Sequence, residues 1–395
     1  MIRPCQLGDL LLVQRLGGQA TKLNAIQALL QPRVAAITSL SSIVPWFGAR
    51  ANTYILRQQR NSLAQSGFIQ TQERIGRPEA DITLLAPALD TPRGHPAIWE
   101  KLLAHYIHEA ANRQIRRVYA DVPDQPLPVK TFTQTGFRTY TSQTIWRLNP
   151  SDKPQYSYTQ SSTQGKNESI RIRQQTAADI WALQKLYSKV TPKSVQRAEG
   201  FGQGNIRNGL ISDDASDGTK TRALTASLRS NRSNGTNNVK LSMLDWWHVG
   251  YHSTFVLSDR DEIQGCILIG QGPRGTWLRL LVDTLNPNSG YIYALLGHGL
   301  NIAQNAAPQF PVYIGVRDYH GGMDSILNEY QFAPFTDRAR MVRQVPVWAR
   351  TTVPLHERML DAVGEAIPTT FTLPNRKTIT NRHITNHQIK TKQER

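Results

Sequence analysis

The sequence predicts two consecutive domains of the same mixed α/β fold. The opening segment Ile2 to Leu16 returns, in register, as Ile172 to Leu186 at a constant shift of 170 residues. Within Leu89 to His105 and Val282 to His298, shared residues recur at a shift of 193. Repeats of solenoid proteins span only about 20 to 50 residues, so a repeat of this length indicates a duplicated domain.

Each half has the same predicted order of elements. An alternating strand leads into a helix whose apolar residues recur at spacings of three and four, with Asp9 or Asp179 at its start as a cap. A strand pair, a central strand, a loop, a second helix and a further strand follow, and the helical crossover makes the central and further strands parallel. A short helix and a last strand complete a mixed sheet in each half. In the first half, the predicted strand pair is Thr53 to Arg57 with Gly67 to Gln72, the central strand Ile82 to Leu89, the second helix Ala97 to Asn112, the further strand Arg117 to Val122 and the last strand Thr139 to Leu148. In the second half, the same elements are Thr254 to Leu257 with Gly265 to Ile269, Trp277 to Val282, Tyr291 to Asn305, Val312 to Val316 and Ala339 to Val347.

The domain boundaries follow from the repeat and from changes in composition. We assign residues 1–149 to the first domain, 150–168 to a polar linker and 169–350 to the second domain. Residues 200–238, rich in Gly, Ser, Asn and Asp, form a predicted disordered insertion in the second domain. Residues 351–395 are predicted to be a helix followed by a basic, disordered tail.

Composition excludes several classes of protein. The two cysteines, Cys5 and Cys266, are not at equivalent positions of the repeat, so we expect neither a disulfide framework nor a cysteine metal site, and we expect no metal. No stretch of eighteen apolar residues occurs, and no charged segment followed by an apolar run opens the chain. We therefore expect a cytoplasmic protein that does not span a membrane.

The formal net charge of +17 raises the question of nucleic-acid binding. Part of the excess lies in the last twenty residues, where a solvated basic tail accounts for it. No helix-turn-helix, zinc-finger or aromatic RNA-binding motif accompanies the charge. Nucleic-acid binding through the tail is therefore the weaker interpretation.

The residues at the junctions of the second half carry a family resemblance. Leu281-Val282-Asp283-Thr284 ends the central strand, Pro287 to Ile292 forms the loop, and Leu295-Leu296 lies on the helix. In this order the chain resembles the GNAT acetyltransferase superfamily, in two tandem copies over nearly all of residues 1 to 350. The resemblance implies that loop N–H groups at the helix start bind the pyrophosphate of acetyl-coenzyme A. It also implies that the two parallel strands diverge, so that the pantetheine amides pair with one of them like an added strand.

The resemblance places the cofactor site in the second half. Its residues are Leu281, Val282, Asn288, Ser289, Gly290 and Tyr291. Gly290 keeps the first glycine of the family loop, whereas Pro287 and Ile292 depart from its pattern. In the first half Trp99 stands at the small-residue position, where it is expected to crowd a pyrophosphate, and Pro96 removes an N–H donor. We therefore expect the first half to be structural.

Two residues are candidates for catalysis. The family's general acid is a Tyr four residues before a Gly-Phe pair, but Phe132 and Leu327 stand there. Tyr330 is the nearest substitute, with core packing as the alternative. Asp283, at the end of the central strand, is the candidate base; its counterpart Asp90 suits a structural cap equally well.

Other polar residues have plainer interpretations. Glu262 is expected in a hairpin turn, and His105 and His298, which recur at one position of the repeat, suit either a shared role or packing on a helix. The segment Trp246-Trp247-His248 is expected either to line an acceptor pocket or to belong to the core.

The leading functional hypothesis is transfer of an acetyl group from acetyl-coenzyme A to an amine on a small molecule or a peptide. The first alternative is a GNAT-like pair of domains without catalytic activity, which the loop departures and the missing Tyr favour. The second is the nucleic-acid binder. The sequence identifies neither the acceptor amine nor the oligomeric state.

Overall fold

One mixed β-sheet runs through both halves of the chain in the computed structural model. The structure describes residues 2–32, 35–43, 51–57, 66–74, 77–151, 170–200, 251–283 and 290–346. All of them lie in one compact unit, residues 1–347. The predicted insertion, the linker, the tail and the Trp246 to His248 segment lie outside the described residues, apart from positions at their edges. The domain boundaries themselves stay a prediction.

The elements of the first half match the predicted order. Its strands are β1 (Ile2–Pro4), β2 (Thr21–Lys22), β3 (Ala51–Leu56), β4 (Gly67–Glu73), β5 (Glu79–Ala86), β6 (Arg117–Pro123) and β7 (Arg138–Leu148). Its helices are α1 (Leu10–Gly17), α2 (Ala25–Leu30), α3 (Ala35–Ile43), α4 (Pro96–Asn112) and α5 (Pro126–Gln134). The short strand β2 is the one strand here that the sequence did not indicate.

The second half repeats this order. Its strands are β8 (Ile170–Gln174), β9 (Tyr251–Asp259), β10 (Glu262–Gly272), β11 (Gly275–Val282), β12 (Val312–Arg317) and β13 (Ala333–Gln344). Its helices are α6 (Ile180–Val190), α7 (Lys193–Ala198), α8 (Gly290–Ala306) and α9 (Met323–Glu329). The α/β fold class is confirmed, and β5 with β6 and β11 with β12 form the two predicted parallel pairs.

The same cap begins the first helix of each half. The Asp179 carboxylate accepts a hydrogen bond from the Thr176 backbone N–H at 2.7 Å and forms an ion pair with Arg173 at 2.7 Å. Asp9 does the same with the Gln6 N–H at 3.0 Å and with Arg3 at 2.7 Å. The predicted capping role is therefore confirmed, and in both halves an arginine from the opening strand stabilises the carboxylate.

The last strands are exchanged between the halves. The strand order is β1-β3-β4-β5-β6-β13-β7-β12-β11-β10-β9-β8, with β2 beside β5. The last strand of the second half, β13, thus lies between β6 and β7 of the first, while β7 pairs with β12 of the second. The expectation of one sheet in each half is wrong, because each final strand completes the hydrogen bonding of the other copy's sheet.

Two apolar clusters fill one face of the sheet, one in each half, beneath the long helices α4 and α8. Trp99 belongs to the first cluster: its ring is fully buried and its indole N–H donates to the Pro87 carbonyl at 2.8 Å. It does not stand over the start of α4, so the expected crowding of a pyrophosphate by Trp99 is wrong. On the other face, α2 of the first half packs with α6 of the second, and Leu30 contacts the β10–β11 turn at Gly272 and Gly275.

A cut between the halves tests the strand exchange. We expect that a protease site placed within residues 152–169 can be cleaved and that the two fragments still elute together in native size-exclusion chromatography. The reason is that β13 shares hydrogen-bond ladders with β6 and β7, and separation exposes these backbone groups. The uncut protein is the control, and denaturant should separate the fragments. Fragments that part without denaturant would contradict the exchange.

The Asp179 cap predicts a pH-dependent stability. The hydrogen bond from Arg173, acting against burial, lowers the pKa of Asp179 from an ordinary value of 3.8 to about 2. A carboxylate with a lowered pKa stabilises the fold above about pH 4, and that contribution is lost as the pH falls through 2. We expect Asp179→Asn to lower the free energy of unfolding by about 2 kcal/mol at pH 7 and by much less near pH 2.

Urea unfolding followed by circular dichroism at a series of pH values measures this difference. Asp261→Asn is the matched control, because Asp261 is exposed in the β9–β10 turn with a positive φ that asparagine also adopts. An equal loss of stability for Asp179→Asn at pH 7 and pH 2 would refute the ion-pair explanation.

Candidate functional site

The parallel strands of the second half diverge beyond their first residues. Strand β11 pairs with β12 from Thr276 to Leu278, opposite Val312 to Ile314, and the register ends there. Both strands continue, β11 to Val282 and β12 to Arg317. We call the space between residues 279–282 and 315–317 the C-terminal wedge.

A narrow pocket opens at the C-terminal wedge. Apolar side chains and one glycine form most of its lining, and the imidazole of His320 is its single ionisable group. The lining residues are Leu280, Val282, Ile314, Gly315, Val316, His320 and Met323. The volume of the pocket is about 10 Å³, which admits about one water-sized group.

The first half has the same divergence, but its wedge is filled. Strands β5 and β6 pair only from Glu79 to Asp81, opposite Arg117 to Tyr119. Strand β2 adds to β5 beyond that point, antiparallel to Leu84 and Leu85. This N-terminal wedge is thus occupied by the chain's own backbone.

Leu23, directly after β2, bridges the two diverging strands. Its N–H donates to the Thr83 carbonyl of β5 at 2.8 Å, and its carbonyl accepts from the Asp121 N–H of β6 at 3.0 Å. The Asp121 carboxylate also accepts from the Ala25 N–H at 3.0 Å, at the start of α2. These bonds use backbone groups that an added strand in the wedge would need.

A two-residue difference in sequence accounts for this asymmetry. Helix α1 ends at Gly17-Gly18, and the chain then extends as β2. At the equivalent positions, 170 residues on, Tyr187-Ser188 continue helix α6 to Val190. Glycine disfavours the helix interior by about 1 kcal/mol relative to alanine, so the pair favours an early end. Within the described part of the second half, no strand equivalent to β2 pairs with β11.

The predicted cofactor residues do not all face the C-terminal wedge. Val282 lines the pocket, whereas Leu281 points to the opposite face and packs with α6. Gly290 is exposed as the first residue of α8, and the side chain of Tyr291 is buried, with its hydroxyl donating to Asp259 at 2.6 Å. Asn288 and Ser289 lie outside the described residues.

The two candidate catalytic residues lie in different surroundings. Asp283 directly follows β11, and its carboxylate forms an ion pair with Lys189 at 2.9 Å. Tyr330 is buried at the end of α9, where its hydroxyl donates to the Tyr293 carbonyl at 3.3 Å. This contact favours the packing alternative for Tyr330, and the catalytic roles of both residues stay predictions.

The recurrent histidines pack against aromatic rings. His105 meets the Tyr54 ring edge-on at 5.3 Å between centroids, and His298 meets Phe255 at 4.7 Å. In both, burial lowers the pKa. Their recurrence is explained by a shared packing position. The predicted hairpin is present, but the placement of Glu262 in its turn is wrong, because Glu262 is the first, exposed residue of β10 and pairs with Asp259.

A buried charge cluster beside the C-terminal wedge was not predicted. Arg317, at the end of β12, pairs with Glu199 at 2.6 Å and donates to the Tyr319 hydroxyl at 2.8 Å. Burial acts to raise the pKa of Glu199, but Arg317 and Arg279 outweigh it and hold that pKa below its ordinary value. Tyr187 donates a further hydrogen bond to Glu199 at 2.5 Å.

His320 is the second feature that sequence reasoning missed. Its Nε2 is buried and has no hydrogen-bond partner among the described residues. Burial, together with the positive charges of Arg317 and Arg279, lowers the pKa of His320 to about 3. The ring is therefore neutral at physiological pH. A lone histidine in a loop carries no pattern, so only the structure could single it out.

Both halves thus contain a strand–helix–strand unit whose parallel strands diverge, which is the arrangement that the resemblance implies. No protein-family model matches the sequence, and no curated protein matches it.

Solved GNAT structures are similar to this chain in fold. A tandem GNAT protein from the clavulanic acid biosynthesis pathway has 12% identity and a TM-score of 0.49, over 88% of this chain and 99% of that one. A GCN5-related N-acetyltransferase from Sphaerobacter thermophilus has 13% identity and a TM-score of 0.48, over 88% and 96%. A GCN5-related glucosamine N-acetyltransferase region of a fungal β-N-acetylglucosaminidase has 11% identity and a TM-score of 0.46, over 87% and 38%.

No group of three or more His, Cys, Asp or Glu side chains in the described ranges could hold a metal ion. None of the helices that the structure describes is long and apolar enough to cross a membrane. Cys5 and Cys266 are both buried free thiols.

Proposed function

We propose that this protein is an N-acetyltransferase whose second half binds acetyl-coenzyme A at the C-terminal wedge and transfers the acetyl group to an amine. The observation that carries the proposal is the asymmetry of the two wedges. In the first half, β2 and Leu23 pair with the diverging strands, and this is the kind of pairing that the resemblance assigns to pantetheine. In the second half, α6 continues where β2 would begin, and among the described residues no strand pairs with β11 on the β12 side beyond Leu278.

The lining of the wedge suits a thioester. Leu280, Val282 and Met323 offer an apolar surface to an acetyl methyl group, and burial of that group from water favours binding. Gly290 begins a helix of seventeen residues, Gly290–Ala306, whose first N–H groups are suited to a phosphate oxygen. A small-molecule or peptide amine is the proposed acceptor.

Direct attack of the amine is the proposed mechanism. Bringing an amine and a thioester together in the correct geometry supplies effective molarities of about 10⁵ M or more, so a modest set of catalytic groups is sufficient. We assign the proton-accepting role to Asp283, which Lys189 holds at the end of β11. A backbone N–H near Val282 polarises the carbonyl oxygen.

Acetyl-coenzyme A binding tests the proposal directly. We expect isothermal titration calorimetry to show one site per chain, and we expect Gly290→Glu to weaken binding by at least about tenfold, or about 1.4 kcal/mol. A glutamate is tolerated in the first turn of a helix but repels the phosphates of the ligand. Ala97→Glu is the matched control, because Ala97 holds the equivalent place at the start of α4.

The outcome distinguishes this proposal from a pair of domains without activity. Equal loss of affinity in Ala97→Glu and Gly290→Glu would mean that the second half is not the preferred site. If the wild-type protein shows no heat of binding and no thermal stabilisation at millimolar acetyl-coenzyme A, the acetyltransferase proposal is excluded.

A pair of variants tests the catalytic assignments. We expect Asp283→Asn to slow release of coenzyme A thiol from acetyl-coenzyme A, in the presence of a panel of primary amines, by a factor of about 10² to 10⁴. We expect Tyr330→Phe to keep the rate and to lower stability by about 1 kcal/mol, since it removes one buried hydrogen bond.

Thiol release is read with a colorimetric reagent and stability by urea unfolding. Lys189→Gln is the control for the ion pair, because it leaves the Asp283 carboxylate in place. If Tyr330→Phe slows thiol release and Asp283→Asn does not, Tyr330 is the catalytic residue and Asp283 the structural one.

A further inference from the structure

His320 differs from the other buried histidines of this protein in where it points. His105 and His298 also have an unpartnered Nε2, but their rings pack against Tyr54 and Phe255 under the long helices. The His320 ring also packs edge-on against an aromatic ring, Tyr319 at 4.5 Å between centroids, but it lines the pocket of the C-terminal wedge together with Leu280 and Val282 of β11. Buried polar atoms in folded proteins nearly always have a partner, so an orphan atom in a pocket calls for one from outside the chain.

The turn that carries His320 is held from several sides. The His320 N–H donates to the Arg317 carbonyl at 2.9 Å, which closes the turn. The Asp318 carboxylate accepts from the Thr141 hydroxyl at 2.5 Å and from the Ser142 N–H at 3.1 Å, both on β7 of the first half. The backbone that carries the imidazole is therefore held in place before any ligand arrives, and such preorganisation favours electrostatic stabilisation of a transition state.

The charges around His320 define what it can do. Arg317 and Arg279 oppose a proton on the ring, and Asp318, which favours one, is the weaker influence. A neutral imidazole has one N–H donor and one acceptor nitrogen, and it keeps both across the physiological pH range. Such a ring is a poor base for an ammonium ion, but it is a fixed hydrogen-bond donor toward a carbonyl oxygen.

We propose that His320 is a catalytic residue whose Nε2–H donates a hydrogen bond to the carbonyl oxygen of the acyl thioester in the C-terminal wedge. The proposal rests on the proposed function of that wedge. In the reaction, the lone pair of the amine nitrogen forms the C–N bond at the carbonyl carbon, and the π pair moves onto the oxygen, where the N–H of His320 stabilises its charge. The pair then returns, the C–S bond breaks, and sulfur leaves as thiolate with its bonding electrons. The amine loses its proton to Asp283, and His320 keeps its own.

Binding of two probes to the full chain tests this contact without knowledge of the acceptor. Acetyl-coenzyme A carries the carbonyl, and free coenzyme A lacks it. The quantity compared is the ratio of the affinity for acetyl-coenzyme A to the affinity for coenzyme A. We expect this ratio to be about 3- to 10-fold higher in the wild-type protein than in His320→Leu. The affinity for coenzyme A itself should be the same in both proteins. His320→Asn, which keeps an N–H donor on a side chain of different shape, should retain part of the difference. His298→Leu is the matched control, because His298 lies in the same half, has a half-buried imidazole with a buried Nε2 and does not line the pocket.

Infrared difference spectroscopy with acetyl-coenzyme A labelled with ¹³C at the carbonyl supplies a signature that a purely structural role would not give. We expect the bound carbonyl band of the wild type and of His298→Leu at lower frequency than that of His320→Leu. Circular dichroism confirms the folding of each variant, and His320→Asn serves if His320→Leu does not fold.

The results separate the two proposals. A wild-type protein that binds acetyl-coenzyme A, with the same carbonyl band and the same affinity ratio in His320→Leu, overturns the role of His320 and leaves the proposed function standing. A wild-type protein that binds neither probe overturns both.

Discussion

The exchange of the last strands is the constraint on which the rest of the structure depends. Strand β13 lies between β6 and β7, and β7 joins the sheet of the second half through β12. Without the other copy's last strand, β6 and β12 would each need another partner for a row of backbone donors and acceptors. The two copies therefore fold as one unit, and a residue of one half can fix the geometry of the other.

The charged residues around β12 show this coupling at the site. Asp318 follows β12 and is held by Thr141 and Ser142 of β7, so a strand of the first half sets the position of the turn that carries His320. On the same side, the buried Glu199 orients Arg317. A buried ion pair contributes little to stability once its desolvation is counted. Its clearest consequence here is electrostatic, because Arg317 helps to keep the nearby imidazole neutral.

The repeat predicted the elements well but not their partners. The order of strands and helices, the Asp9 and Asp179 caps and the two parallel pairs could all be inferred, because each depends on local pattern. Which copy a last strand joins could not be inferred, since β7 and β13 have the same pattern and either sheet would accept either strand. The predicted crowding by Trp99 failed for a related reason: position in a loop motif does not reveal which way a side chain points. His320 carried no signal in sequence, because its importance comes from neighbours brought together by the fold.

The difference between the wedges of the two copies has a physical cause in the first helix of each half. Gly17-Gly18 ends α1 early, and the released chain pairs with β5 and β6, where its backbone satisfies groups that would otherwise need a ligand or water. The N-terminal wedge is thereby filled by the chain's own backbone. The first half nevertheless provides β7, the Thr141–Asp318 contact and the packing of α2 on β11 to the second half. The first half is therefore part of the structure around the C-terminal wedge, although its own wedge is filled.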